Sequence, residues 1–202
     1  MKRYHHVAAF VLAGGASRRM GRDKALLELS GVPLVVRTVR VVEALVSSVA
    51  VVAPAGRYES LGLRIVADRW PGAGPLGGIV TALGVSSAGW NLILGCDLPF
   101  LTAEWIEWMI SQATNSSALA VVPESRRGME SLAAMYRNDC GPVFAAALER
   151  GVRRVSEALD EVVFDRVTAD QWQALDPAGA VLQNVNTPDD FAEAQRLIST
   201  PL

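Results

Sequence analysis

The chain is poor in the residues that carry most metal, redox and covalent chemistry. It has two cysteines, Cys96 and Cys140, and two histidines, His5 and His6, in 202 residues. Two cysteines far apart in sequence do not suggest a disulfide framework or a zinc site and are compatible with a reducing cytoplasm. Two adjacent histidines near the N-terminus supply no Ser-His-Asp or Cys-His arrangement, so they read as incidental rather than catalytic. Charge of one sign is also lacking, with 19 Lys+Arg against 21 Asp+Glu and a formal net charge of -2. That balance argues against a general nucleic-acid or anionic-membrane binder. No apolar run approaches the ~18 residues of a membrane-spanning helix. Lys2 and Arg3 before Val7–Ala13 imitate a short leader. The apolar run is at the lower length limit and flows straight into a glycine loop, so it reads as a strand.

What is present begins with that loop. Val7–Leu12 reads as a buried strand that stops at Gly14-Gly15 and opens into Ala-Ser-Arg-Arg-Met-Gly-Arg-Asp-Lys24. Arg18, Arg19, Arg22 and Lys24 face only Asp23, a local surplus of three positive charges on a slightly acidic background. Paired glycines let backbone N–H groups approach phosphate oxygens, and Arg and Lys neutralise them, which suits a polyphosphate. The competing reading is a tight turn and a solvated basic loop. The spacing excludes a P-loop, which needs Gly-Lys-Ser/Thr, and a dinucleotide fingerprint, which needs G-x-G-x-x-G.

Further strands are expected at Val49–Ala53, Leu63–Ala67, Asn91–Gly95, Ala118–Val122 and Val162–Val167. Helical spacing appears in Leu34–Leu45 after Pro33, after Gly78, in the segment capped by Thr102, around Val143–Leu148 and Val152–Leu159, and in Phe191–Ile198 after Thr187-Pro188. Trp105, Ile106, Met109 and Ile110 share one helical face and read as core. Arg126–Glu130 reads as a polar loop leading into Leu132–Tyr136. The alternation implies an α/β fold with a mostly parallel sheet between helices, in one domain over residues 1–202. In such sheets ligands sit beyond the carboxyl ends of the strands. Gly14-Gly15, Asp68 and Asp97 all fall at predicted strand ends.

Pro71–Gly78 holds four glycines and two prolines in eight residues. It is either a flexible connection or a second glycine loop lying against a flat ligand such as a nucleobase. Asp97, ahead of Leu98-Pro99, is either a turn aspartate or a Mg²⁺ ligand; Mg²⁺ keeps several waters and takes substrate phosphates for the rest. Two glycine loops, a cationic stretch and one carboxylate together describe a site for a nucleoside triphosphate with Mg²⁺. A phosphate acceptor is already ionised at neutral pH, so the lack of a general base is consistent with catalysis by positioning and charge neutralisation.

Leu12-Ala-Gly-Gly-Ala-Ser-Arg-Arg-Met-Gly-Arg-Asp-Lys24 resembles the signature of nucleotidyltransferases of the molybdenum cofactor guanylyltransferase family. Gly74-Pro-Leu-Gly-Gly78, Cys96-Asp-Leu-Pro-Phe-Leu101 and Asn184-Val-Asn-Thr-Pro188 resemble its later motifs in the same order, so the likeness runs over nearly the whole chain. The resemblance implies a Rossmann-like three-layer α/β/α fold with a nucleotide-binding N-terminal part and an acceptor-binding C-terminal part. It implies transfer of GMP from GTP to the phosphate of molybdopterin, with Mg²⁺ as cofactor and pyrophosphate released. Related cytidylyltransferases, other transferases acting on sugar phosphates, polyol phosphates or phospholactate, and a binding protein without turnover are the alternatives. By motif, Leu12, Ala13, Gly14 and Gly15 would contact the nucleotide through backbone, and Arg19 and Lys24 would bind its phosphates. Asp68, Gly74 and Gly78 would lie on the nucleotide side, Asp97 would hold the metal, and Asn184 and Asn186 would lie near the acceptor phosphate or metal. Transient contact with cofactor-insertion proteins or molybdoenzymes is a further expectation. The family often has His-Pro after the Arg126–Glu130 loop, where this chain has Glu130-Ser131, and the polar residue of relatives near Ala53 is missing.

Overall fold

The N-terminal apolar run becomes β1 (Tyr4–Leu12), the strand around which the sheet is ordered. The computed structural model describes residues 3–15 and 23–199. After a two-stranded ribbon, β2 (Glu28–Leu29) and β3 (Val32–Pro33), the chain runs α1 (Leu34–Glu43), β4 (Val46–Ala53), β5 (Ile65–Ala67), α2 (Pro75–Val85), β6 (Trp90–Gly95) and α3 (Ala103–Asn115). It continues β7 (Ala120–Ser125), β8 (Gly128–Met129), β9 (Ala133–Arg137), α4 (Cys140–Glu149), α5 (Val155–Leu159), β10 (Phe164–Thr168), α6 (Ala169–Trp172) and α7 (Pro188–Ser199).

The main sheet has the order β10-β7-β9-β6-β1-β4-β5, with β8 paired to β7. β1 pairs in parallel with both β4 and β6, and β4 with β5, so the carboxyl ends of all four open on one edge. Successive residues of β1 serve opposite faces, as the two-residue period requires. Val7, Ala9 and Val11 meet α1 and α3, whereas Ala8 and Phe10 meet α2, α4 and α5. Trp105 of α3 and Trp172 of α6 stack edge to face with ring centroids 6.3 Å apart inside the first of these cores. Trp70 is partly buried against the second core, and Trp90 is buried in the first.

The expectations for β1, β4, β5, β6, β7 and β10 match strands, and the mostly parallel α/β/α architecture is present. Two local readings differ. The segment Arg126–Glu130 is not simply a loop: Gly128 and Met129 pair antiparallel with Ser125 and Glu124. The following β9 runs antiparallel to both β6 and β7. A link this short holds no crossover helix, and only an antiparallel return can be made without one. The second difference concerns Gly77 and Gly78, which lie inside α2 rather than in a loop.

A third, small core joins the two ends of the chain. Leu27, Leu29 and Leu34 pack with Val185 and with Ala194 of α7. It places the segment following Lys24 beside the Asn184–Asn186 turn. Among the described residues no helix is long and apolar enough to cross a membrane.

Candidate active site

Lys24 opens a 3-10 turn, Lys24–Leu26, whose first free N–H is capped by Asp23: Ala25 N–H donates to Asp23 Oδ1 at 3.1 Å. The turn aims the lysine at the carboxyl edge of the sheet. Lys24 Nζ donates to Asp97 Oδ2 at 2.6 Å and to Asn186 Oδ1 at 2.9 Å. Residues 73 and 162 positions away in sequence thus meet on one ammonium group. Both Lys24 and Asp97 side chains are 17% exposed, so solvent and salt screen this pair less than a surface ion pair.

Asp97 is delivered by β6, a strand buried along its whole length. A Cβ on Gly95 would collide with Asp97 Oδ1, so the glycine leaves the carboxylate room to lie back over the strand end. Cys96 N–H donates to Leu12 O at 3.3 Å, and Val185 N–H donates to Asp97 O at 3.0 Å, which fixes the Asn184–Asn186 turn against this strand end. Asn184 Oδ1 is buried and has no hydrogen-bond partner among the described residues. The turn is braced from α7: Asp190 Oδ2 accepts N–H from Asn186 and Thr187, each at 2.8 Å, and Asp190 N–H donates to Thr187 Oγ1 at 3.1 Å. Burial pushes the Asp190 carboxyl upward, but the Asn186 and Thr187 hydrogen bonds and the charge of Arg127 outweigh it and hold it below the usual carboxylate range.

The nucleotide-side residues occupy the same edge. Leu12 ends β1, and Ala13, Gly14 and Gly15 follow it, with Ala13 N–H donating to Val52 O at 2.9 Å. A Cβ on Gly14 would meet Pro54 Cδ at an ordinary 3.5 Å, and one on Gly15 would meet nothing within 4 Å among the described residues. Asp68 follows β5, and its Oδ1 accepts from Trp70 N–H at 2.9 Å and from the Thr81 hydroxyl at 3.0 Å. It therefore ties the 68–74 loop to α2. From β6 to β5 is three strand steps, about 14 Å at ~4.8 Å each. Gly74 caps α2 at φ 72°. A Cβ on Gly77 would stand 2.8 Å from Trp70 Cβ and 2.9 Å from Trp70 O, and one on Gly78 3.0 Å from Leu12 Cδ1. Those two glycines let α2 pack closely on the 68–74 loop and on the end of β1. Arg19, with Arg18 and Arg22, lies outside the described residues.

Burial, and then the charge of Asp97, pushes the Cys96 thiol up to about 12, so it stays protonated at neutral pH and offers no thiolate. Among the described residues no three His, Cys, Asp or Glu side chains cluster to enclose a metal. The donors present are hard oxygens, the Asp97 carboxylate and the orphaned Asn184 Oδ1. Such a set fits Mg²⁺, which takes one or two protein oxygens and completes its shell with water and phosphate. A depression of about 420 Å³ is walled by residues that include Arg126, Arg127, Asp170, Gln173 and Gln183, and none of Lys24, Asp97, Asn184 and Asn186 lines it. Asp23 and Asp190 are the groups that brace Lys24 and Asn186, and composition and charge do not single them out. The Thr187-x-x-Asp190 spacing was the available signal for the second.

Comparison with known proteins follows the same lines. Residues 9–162 match the family model described as MobA-like NTP transferase domain. A protein of Trichormus variabilis named "Probable molybdenum cofactor guanylyltransferase" is 34% identical over 95% of this chain and 91% of its own length. One of the same name from Methanothermobacter thermautotrophicus is 36% identical over 90% of this chain and 95% of its own. The crystal structure of molybdopterin-guanine dinucleotide biosynthesis protein A from Archaeoglobus fulgidus superposes with a TM-score of 0.85 at 24% identity, covering 98% of this chain and 99% of that one. The fold extends to 2-C-methyl-D-erythritol 4-phosphate cytidylyltransferase from Thermus thermophilus, with a TM-score of 0.73 at 17% identity over 96% and 98% of the two chains.

Proposed function

The chain belongs to the MobA-like NTP transferase family, and within it we propose that it transfers GMP from GTP to the phosphate of molybdopterin with Mg²⁺ as cofactor. The observation that carries this reading is the single ammonium group of Lys24 bridging Asp97 and Asn186 at the sheet's carboxyl edge. The names of the relatives supply the base and the acceptor.

The triphosphate lies along Gly14-Gly15 and Lys24, where backbone N–H groups and the lysine meet its oxygens. The base lies toward Asp68 and the start of α2, a span that strand spacing puts at about 14 Å. The depression walled by Arg126, Arg127 and Gln183 gives the acceptor room, since Gln183 adjoins Asn184. An oxygen of the acceptor phosphate attacks the α-phosphorus of GTP, the bond from that phosphorus to the bridging oxygen breaks, and pyrophosphate leaves. The attacking oxygen is already ionised, so no side chain must remove a proton. Lys24 neutralises charge that develops on the departing pyrophosphate, and Asn186 orients Lys24. Asp97 and Asn184 would hold Mg²⁺, which supplies further charge neutralisation on the phosphates when bound.

Thermal shift tests the base: Mg·GTP is expected to raise the melting temperature more than Mg·CTP or Mg·ATP. Equal or greater stabilisation by CTP would replace the guanylyl reading with the cytidylyl one.

A further inference from the structure

Of the described residues other than glycine, only Ser30 and Tyr58 have positive φ. Ser30 sits beside Gly31 in the two-residue link of the β2–β3 ribbon, where the left-handed region is required by the turn. Tyr58 has no such local reason. It lies in the β4–β5 connection at φ 64°, ψ 9°, a conformation that a bulky side chain holds only when its surroundings impose it. Its ring is buried, and its hydroxyl donates to Asp23 Oδ2 at 2.8 Å. Arg57 Nη1 donates to the same oxygen at 3.0 Å. The other carboxylate oxygen caps the turn that begins with Lys24.

The geometry points to Tyr58 as a positioning residue for Lys24, acting through Asp23. Asp23 has two tasks on its two oxygens: Oδ1 shapes the turn and Oδ2 is anchored to a loop 35 residues away. Without the phenol, Oδ2 keeps only the half-exposed Arg57 as its tie to that loop, and the ammonium group loses part of its registration against Asp97 and Asn186. A misplacement of about 1 Å, even one caused away from the chemistry, can cost an enzyme as much as ~10²-fold in rate. Burial and the Asp23 hydrogen bond push the Tyr58 hydroxyl above its ordinary range, so it is a donor at neutral pH. The backbone strain at Tyr58 is consistent with this placement, because it turns the phenol back toward Asp23 instead of outward.

The inference rests on Lys24 being a phosphate ligand, as proposed above, but not on the identity of base or acceptor. Its test therefore uses inorganic tripolyphosphate as the probe, with binding measured by calorimetry for the wild type, Tyr58→Phe, Lys24→Ala and the double variant. The phenylalanine keeps the ring and removes only the donor. Tyr58→Phe is expected to weaken binding about five- to tenfold where Lys24 is present and less than twofold where it is alanine. Asp23→Asn, which retains an acceptor for Ala25 N–H but cannot accept from the phenol in the same way, is expected to show the same dependence on Lys24. Equal weakening in both backgrounds, no weakening in either, or a wild type that does not bind tripolyphosphate overturns the proposal. Coupling between Tyr58 and Lys24 in an enzyme that prefers CTP would refute only the guanylyl reading.

Discussion

Two glycine-rich segments look alike in sequence and differ in structure. Among the described residues, an added Cβ at Gly14-Gly15 finds open space or ordinary contact, whereas at Gly77-Gly78 it runs into Trp70 and Leu12. The first pair follows β1 at the carboxyl edge of the sheet, the edge to which Lys24 and Asp97 also belong. The second pair lets α2 lie against the 68–74 loop and β1. Composition treats both as loops. What separates them is whether the space that the missing side chain leaves is filled by the protein.

The sharpest way to probe the open side is to remove its charges. Lys24→Ala and Asp97→Asn are each expected to lower kcat by about 10²–10³-fold or more, the loss typical of removing one preorganised electrostatic group. Circular dichroism should show the fold intact. Near-normal turnover in either variant would remove that residue from the chemistry. On the packed side, Gly77→Ala forces atoms against backbone and is expected to cost roughly 1–3 kcal/mol, a fall in Tm of several degrees in a chain of this size. Gly78→Ala should cost less, because it meets the far end of a leucine that can move. Gly15→Ala, by contrast, should leave Tm unchanged and weaken tripolyphosphate binding. The opposite pattern, a stable Gly77→Ala and an unstable Gly15→Ala, would reverse the roles given to the two segments.

A smaller effect tests the brace behind Asn186. Asp190 ionises more readily in the folded protein than in the unfolded chain, so it stabilises at pH above the ordinary carboxylate value of ~4. That contribution is lost as pH falls through its lower folded value. Asp190→Ala should therefore lower Tm at neutral pH, with the difference from wild type shrinking in strong acid. A difference independent of pH would assign the loss to packing instead. The smallest effect belongs to the thiols. Burial pushes both Cys96 and Cys140 up to about 12, so neither should react with a disulfide reagent at pH 8 until the protein is unfolded. Rapid labelling of native Cys96 would mean that the floor of the site is open.

The sheet was legible because parallel strands buried on both faces are written as continuous apolar runs. β9 was not, since Ala133–Tyr136 reads the same in either direction. Its orientation is fixed by the link from β7, which is too short to cross over. The site was half legible. Lys24 and Asp97 stood out, one by charge and one by its place after a buried strand. Asn186 became visible as a partner of Lys24 only when the small core of Leu27, Leu29, Val185 and Ala194 joined the chain's two ends. The Asp23–Tyr58 bond left no trace in spacing, because it depends on where the β4–β5 connection folds back.

The most direct measurement follows pyrophosphate release in the presence of Mg²⁺, molybdopterin and either GTP or CTP. The account predicts one pyrophosphate released for each molybdopterin converted with GTP, and little with CTP. Release that is absent with GTP despite clear GTP binding, or that is faster with CTP, would contradict it.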